Sequence, residues 1–128
     1  MAGYLIDTHT ALWYFKGDEK LSKTAYEIIY NSSNPIFLSI ASAWELTIKI
    51  GLGKLKFTGK SADFFRLAED DDITILPIKP SHLTALETLP MIHRDPFDRL
   101  LIATALAEEM TLITVDENIQ QYEVSQIW

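Results

Sequence analysis

The sequence contains no cysteine, which excludes disulfide bonds, thiolate metal sites and cysteine nucleophiles. Its three histidines, His9, His82 and His93, do not have the spacing of a zinc site, so we expect any metal to be bound by oxygen atoms. No apolar run approaches the roughly 20 residues of a membrane span. The first residues also lack the basic flank and cleavage pattern of a signal peptide. These absences predict a cytoplasmic protein without a membrane segment.

Positive charge is also scarce. Eleven lysine and arginine residues stand against eighteen aspartate and glutamate residues, which gives a net charge of −7. This balance argues against a general attraction to nucleic acids or anionic membranes, and a phosphate-containing substrate would need local positive charge. Four lysines without an intervening acid are candidates for that charge: Lys49, Lys54, Lys56 and Lys60. A solvated helix end and turn would explain these lysines equally well.

What is present is an ordinary globular composition. The chain has 128 residues, of which 48% are hydrophobic and 23% charged, and this predicts one domain over residues 1–128 with one well-buried core. Short apolar runs predict strands at 3–6, 36–39, 73–76, 111–115 and 124–128. Amphipathic or capped segments predict helices at 10–15, 21–30, 40–50, 61–68, 80–89 and 95–109. This alternation predicts a three-layer α/β/α fold around a parallel sheet of four to five strands.

The longest predicted helix has a clearly marked start. Asp95 is suited to the N-cap, Pro96 to the first helical position and Asp98 to the third. Residues 100–107 contain one polar side chain, Thr104, so we expect this helix to be central and largely buried. Capping and a favourable helix dipole would by themselves explain both aspartates.

Further carboxylates are placed to meet this helix start. Asp7 and Asp116 each follow a predicted strand, while Glu45 and Asp98 lie in the first or second turn of a helix. Helices that return antiparallel to parallel strands begin at the carboxyl edge of the sheet, so these four side chains should reach the same edge. Local explanations remain open, because Asp7 and Asp116 could each cap a helix. Glu45 could form a capping box with Ser42, or the helix could begin at Ser39 and turn Glu45 inward.

Carboxylates brought together repel one another and raise each other's pKa unless a cation lies among them. The pattern therefore predicts a divalent ion, and oxygen ligands near water favour Mg²⁺ or Mn²⁺, as one or two ions. Such ions activate water and stabilise charge on a phosphoryl oxygen, which suits phosphodiester hydrolysis.

Two polar features are expected to lie away from this chemistry. The acidic run Glu69–Asp72 lies between a predicted helix and a predicted strand, which favours a solvated turn over a metal site. His82 belongs to the helix predicted at 80–89 and is expected to be exposed.

Four motifs in this order resemble the PIN-domain ribonucleases, and specifically the VapC-like toxins of bacterial toxin–antitoxin pairs. They are Leu5-Ile6-Asp7-Thr8-His9, Ser39-x-x-Ser42-x-Trp44-Glu45, His93-x-Asp95-Pro96-Phe97-Asp98-Arg99-Leu100-Leu101-Ile102-Ala103 and Thr114-x-Asp116. The resemblance implies that Asp7, Glu45, Asp98 and Asp116 bind Mg²⁺ or Mn²⁺ for RNA cleavage. It also implies that Thr114 helps to order the site, with Asp95 acting first as a helix cap.

The same resemblance implies a homodimer inhibited by a small antitoxin protein. Aromatic clusters at 13–15 and 64–65 are then candidate partner surfaces, although both could equally be core. Val115 stands where many relatives carry a basic or small residue. Arg99 could supply a substrate-binding charge in its place, together with Lys49 and Lys54, or it could pair with Asp95.

Two other functions are compatible with the sequence. A non-catalytic module could keep the fold and use its surface only to bind partners. An aspartyl-phosphate phosphohydrolase could use Asp7 as its nucleophile, but that chemistry expects a second acid two positions later, where His9 stands.

Overall fold

The computed structural model describes residues 3–55 and 57–128. Its strands are β1 (Tyr4–Ile6), β2 (Ile36–Ser39), β3 (Ile73–Leu76), β4 (Thr111–Ile113) and β5 (Gln126–Ile127). Its helices are α1 (Thr8–Lys16), α2 (Lys23–Tyr30), α3 (Ile40–Gly51), α4 (Ser61–Asp70), α5 (Pro80–Glu87), α6 (Pro96–Glu108) and α7 (Glu117–Gln120). Among the described residues, no helix has the length and apolar character needed to cross a bilayer.

The five strands form one parallel sheet in the order β3-β2-β1-β4-β5. This confirms the predicted α/β fold, including the short edge strand near the end of the chain. The chain first extends the sheet to one side of β1 through β2 and β3, and then to the other side through β4 and β5. The crevice above β1 and β4 is therefore a topological switch point, which is where open parallel sheets bind ligands.

Adjacent residues of β1 face opposite layers, because successive side chains of a strand alternate between the two faces of the sheet. Ile6 packs with buried residues of α1, α2, α3 and α4, whereas Leu5 packs with buried residues of α6. Helix α6 is central as predicted, since its residues 101–105 are all buried. The rigid position of α6 fixes the acidic start of that helix against the sheet edge.

Several element boundaries differ from the prediction in ways that matter for the acidic residues. Helix α1 begins at Thr8 rather than Thr10, so Asp7 alone joins β1 to α1. Helix α3 has Ser39 as its N-cap, which excludes the Ser42–Glu45 capping box as the start of that helix. Helix α4 continues to Asp70, so only the second half of the acidic run lies in the turn before β3.

The prediction that His82 is exposed is wrong, because its side chain is fully buried between α5 and α6. Its Nδ1 accepts a hydrogen bond from the Lys79 backbone N–H at 3.1 Å, so Nε2 carries the proton and donates to Glu108 Oε2 at 2.7 Å. Hydrogen bonds from His82 and Lys79 lower the pKa of Glu108. This polar contact ties α5 to α6 near the C-terminal end of α6.

Of the two aromatic clusters, only Phe64 lies fully in the core. Phe64 is fully buried and packs edge-on against Phe15 and Phe57, so it cannot form part of a partner surface. Residues 13–15 and Phe65 are half-buried against the same core cluster. Of the two explanations for these residues, partner surface or core, the structure decides for core at Phe64.

Candidate active site

Asp7 lies at the carboxyl end of β1 and uses its two oxygens differently. Its Oδ1 accepts from the Thr10 backbone N–H at 2.8 Å, which caps α1. Its Oδ2 accepts from the Thr114 hydroxyl at 2.6 Å, because β1 and β4 are neighbours with Ile6 opposite Ile113. Asp7 therefore caps α1 with one oxygen and directs the other towards β4, so the two roles are compatible.

Asp116 is linked to Asp7 through the same threonine. The Asp116 backbone N–H donates to Thr114 Oγ1 at 3.1 Å, while Asp116 Oδ1 accepts from the Asn118 N–H at 2.9 Å and caps α7. Because Thr114 Oγ1 accepts from this amide, its own proton is directed at Asp7. Thr114 is itself buried, so it holds the ends of β1 and β4 in a fixed arrangement.

Glu45 turns inward from α3, as expected for a helix that begins just after Ser39. Its Oε2 lies 3.3 Å from Lys49 Nζ, and its Oε1 lies 3.5 Å from the Thr8 hydroxyl. The Glu45 side chain is only 16% exposed, so its charge is shielded from bulk solvent on most sides.

Asp98 and Asp95 complete the acidic group at the start of α6. Asp95 Oδ1 accepts from the Phe97 and Asp98 backbone N–H groups at 2.9 and 3.1 Å, as an N-cap does. Asp98 Oδ2 lies 3.1 Å from His93 Nε2. The predicted start of this helix is thus observed in its atomic detail.

These side chains meet in one pocket of about 130 Å³ at the switch point. Four acids predicted as ligands, together with Asp95 and Ser42, all contribute to its wall. The lining residues are Asp7, Thr8, His9, Ser42, Glu45, Lys49, Asp95, Phe97, Asp98, Leu101 and Asp116.

The pocket carries more negative charge than its surroundings neutralise. Burial, followed by repulsion from Asp95, Asp116 and Glu45, raises the pKa of Asp98 to about 6, and His93 only partly offsets this. Among the described residues, Lys49 is the only lysine or arginine in the pocket wall. A wall of carboxylate oxygens with excess negative charge fits a hard divalent cation such as Mg²⁺ or Mn²⁺.

Comparison with known proteins identifies the family. The model of the PIN domain family matches residues 4–124, nearly the whole chain. The chain belongs to the PIN domain family. No curated protein sequence is similar enough to this PIN domain to count as a match.

Solved structures share this PIN fold at low sequence identity. VapBC2 from Rickettsia felis, bound to a DNA fragment from its promoter, has a TM-score of 0.70 and 18% identity, over 100% of this chain and 99% of that chain. DNA-bound VapBC from Salmonella typhimurium has a TM-score of 0.68 and 15% identity, over 100% and 98%. FitAcB from Neisseria gonorrhoeae has a TM-score of 0.64 and 16% identity, over 98% and 96%. The resemblance to VapC-like proteins is confirmed at the level of the fold.

Arg99 of this PIN domain does not face the pocket, contrary to its prediction as a substrate-binding residue. Its guanidinium is buried and donates to the Pro90 carbonyl at 2.8 Å, the Leu89 carbonyl at 3.3 Å and the Tyr122 hydroxyl at 3.2 Å. The structure also shows no ion pair of Arg99 with Asp95 among the described residues. Arg99 is a structural residue that holds the segment preceding α6.

The lysines predicted to contact substrate are separated by the fold. Lys49 lies in the pocket wall and pairs with Glu45, whereas Lys54 is exposed and lies outside the wall. Lys60 precedes α4, also outside the wall, and Lys56 falls outside the described residues. Of the three lysines of this set that the structure describes, Lys49 alone is placed to meet a ligand of the pocket.

Thr8 in the pocket wall and His93 beside it were assigned no role in the site from the sequence. The Thr8 hydroxyl lies 3.4 Å from the Ser42 carbonyl and bridges the starts of α1 and α3. His93 reaches Asp98 from five residues earlier in the chain. His93 received no role from the sequence because the three histidines lack a zinc-type spacing. Only the structure shows that its imidazole contacts the Asp98 carboxylate.

Replacing Asp98 with asparagine should stabilise the metal-free protein. The pKa of Asp98 is raised in the folded state to about 6, so the folded protein disfavours the charged form, and this destabilisation develops as the pH rises from the unfolded pKa through 6. In EDTA at pH 8 we expect Asp98→Asn to gain on the order of 1–2 kcal/mol in unfolding free energy, after allowance for partial solvent screening.

Urea unfolding at several pH values measures this effect. The gain should shrink as the pH falls through 6 and disappear well below the unfolded pKa of 3.8, where Asp98 is protonated in both states. Asp18→Asn removes the same charge outside the pocket and serves as the control. A gain for Asp98→Asn that is independent of pH, or a loss of stability at pH 8, would contradict a raised pKa of Asp98 in the folded protein.

Proposed function

We propose that this PIN domain is a metal-dependent endoribonuclease that acts in the cytoplasm as the toxin of a toxin–antitoxin pair. The observation that carries the proposal is the meeting of four carboxylates from distant parts of the chain in one pocket at the switch point of the sheet. The raised pKa of Asp98 supports the proposal, because it indicates that the pocket lacks the positive charge needed to balance its carboxylates. Membership of the PIN family favours nuclease activity over a module that only binds partners.

Asp7, Glu45, Asp98 and Asp116 would hold the ion, whose contribution when bound is to activate water and to stabilise charge on a phosphoryl oxygen. The Thr114 hydroxyl keeps the Asp7 carboxylate turned towards the pocket. The helix caps made by Asp7 and Asp116 restrict the rotation of both carboxylates. Lys49 places a positive charge beside Glu45, where it would attract an RNA phosphate despite the net negative charge of the chain.

Metal dependence provides the direct test. Purified protein incubated with structured RNAs should cleave them in Mn²⁺ or Mg²⁺, stop in EDTA and resume when excess Mn²⁺ is added back. Mn²⁺ should also raise the melting temperature, because a ligand that binds only the folded state stabilises it. A protein that neither cleaves RNA nor gains thermal stability from Mn²⁺ would instead be a non-catalytic binding module.

A small antitoxin is the proposed protein partner. The similar structures from Rickettsia felis, Salmonella typhimurium and Neisseria gonorrhoeae are VapBC and FitAcB complexes, two of them bound to DNA. By analogy, a small DNA-binding protein encoded beside this chain should bind it and suppress RNA cleavage. Cleavage that continues undiminished in the presence of that protein would contradict the toxin assignment without affecting the nuclease assignment.

A homodimer is the proposed assembly, and α3 offers a surface for it. Every fourth residue on one side of α3 and just beyond it is an exposed apolar side chain: Ile40, Trp44, Ile48 and Leu52. Trp44 is 61% exposed and packs edge-on against Phe97 at the pocket rim. Contiguous exposed apolar side chains favour a protein interface. A monomeric mass by light scattering at micromolar concentration would contradict this assembly.

A further inference from the structure

We propose that His93 is a metal ligand, which together with Asp95 and Asp98 binds a divalent transition-metal ion through one imidazole nitrogen and carboxylate oxygens. This inference rests on the proposed metal-dependent function and adds a nitrogen donor to a site that the sequence indicated to be made of oxygen alone. One ligand atom from each of the three residues lies within 4.8 Å of the others. That spacing allows a single ion to contact all three.

The two aspartates retain free capacity for such an ion. Asp95 uses Oδ1 for both of its capping hydrogen bonds, which leaves Oδ2 outside the cap. Asp98 Oδ2 has the His93 imidazole as its hydrogen-bond partner, and its other oxygen makes no hydrogen bond within the described residues. Ligation by His93 Nε2 uses the neutral imidazole with its proton on Nδ1.

The backbone of His93 is fixed from the opposite side. The His93 N–H donates to the Tyr122 hydroxyl at 2.8 Å, and the Ile92 N–H donates to the same hydroxyl at 3.2 Å. Arg99 holds the carbonyl of Pro90 three residues earlier. The buried side chains of Tyr122 and Arg99 therefore fix the backbone position from which the His93 imidazole extends. Ligands held by such supporting contacts lose less entropy when they bind a metal.

A nitrogen ligand has a consequence for the choice of metal. Mg²⁺ strongly prefers oxygen donors, whereas divalent transition metals accept imidazole readily. The imidazole of His93 should therefore increase the affinity for Mn²⁺ and leave the affinity for Mg²⁺ nearly unchanged. The preference of the site for Mn²⁺ over Mg²⁺ should therefore depend on the His93 side chain.

Electron paramagnetic resonance with Mn²⁺ as the probe tests this directly on the full chain. Electron spin-echo modulation of bound Mn²⁺ should reveal a ¹⁴N nucleus, which changes to the ¹⁵N pattern when all histidines are labelled with ¹⁵N. His93→Gln should lose the nitrogen signal and weaken Mn²⁺ binding roughly 10-fold or more, with Mg²⁺ binding changed by less than about twofold. His9→Gln is the matched control, because His9 lines the same pocket, and it should retain the nitrogen signal.

The outcomes separate this inference from the proposed function. Bound Mn²⁺ without a histidine nitrogen signal in the unmodified chain would overturn the role of His93 while leaving a carboxylate metal site intact. A nitrogen signal that survives in His93→Gln but disappears in His9→Gln would assign the ligand to His9 and would also overturn it. Failure of the unmodified chain to bind Mn²⁺ at all would overturn both. If His93→Gln does not fold, a ¹⁵N-sensitive signal that persists in His9→Gln still assigns the ligand to His93, because both ring nitrogens of His82 are engaged by the Lys79 N–H and by Glu108.

Discussion

Asp7→Asn should reduce RNA cleavage by at least about 100-fold, which corresponds to roughly 3 kcal/mol of lost transition-state stabilisation. The carboxylate of Asp7 is the member of the acidic group that receives the Thr114 hydroxyl at 2.6 Å and stands at the end of the central strand. An amide removes the negative charge and places an NH₂ group where one ligand oxygen would be. Cleavage of a structured RNA in Mn²⁺, measured as an initial rate, gives the comparison.

The same substitution should leave the fold in place. Asparagine is as good an N-cap as aspartate, so its oxygen still accepts from the Thr10 N–H and α1 still begins at Thr8. We expect a change of about 1 kcal/mol or less in unfolding free energy in EDTA. Asp18→Asn, which makes the same chemical change outside the pocket, should keep full activity. If Asp7→Asn cleaves RNA as fast as the unmodified chain, Asp7 has no part in the chemistry.

Arg99→Met should be the most destabilising of the substitutions considered, at about 2–4 kcal/mol. Methionine keeps much of the length of the stem but removes the donor to the Leu89 carbonyl and one of the donors to the Pro90 carbonyl and to the Tyr122 hydroxyl. Although burial raises the pKa of Tyr122, hydrogen bonds from the His93 backbone, Arg99 and the Ile92 backbone lower it overall, which shows how strongly donors converge on that hydroxyl. Urea unfolding should show a lower midpoint at an unchanged m value.

Arg94→Met provides the matched control, because Arg94 is exposed and five residues away on the same segment. Its effect should stay within about 0.5 kcal/mol. Tyr122→Phe removes the shared acceptor, so the double substitution with Arg99→Met should cost less than the sum of the two single ones. Equal losses for Arg94→Met and Arg99→Met would mean that the buried hydrogen bonds contribute nothing specific.

Much of the fold was predictable because its signals are local. β2 and β3 were predicted with their observed bounds, and the start of α6 was marked by Asp95 and Pro96. The parallel sheet followed from the alternation of strands and helices, since parallel neighbours require crossover connections. Boundaries such as the early start of α1 were missed, because a single capping residue can serve both as the end of a strand and as the start of a helix.

The candidate site was predictable in its carboxylates but not in their neighbours. Asp7 and Asp116 follow strands, and strand ends of a parallel sheet share one edge, so their meeting required only the topology. His93 and Thr8 depend on the path of loops and on which rotamer the packing permits. Arg99 shows the opposite error, since a charged residue in a first helical turn usually faces water, yet here backbone carbonyls surround it.

The amino-acid sequence by itself indicated the parallel α/β architecture, the resemblance to the PIN family and the edge at which the acids gather, because periodicity, capping and sequence motifs are properties of short segments. Only the tertiary structure decided that Arg99 and His82 are buried, that His93 reaches Asp98 and that the apolar side of α3 stays exposed. Periodicity identifies the face of an element on which a side chain lies, whereas burial depends on which distant segment packs against that face. Tyr122, which fixes the segment before α6 from more than twenty residues away, is the clearest case.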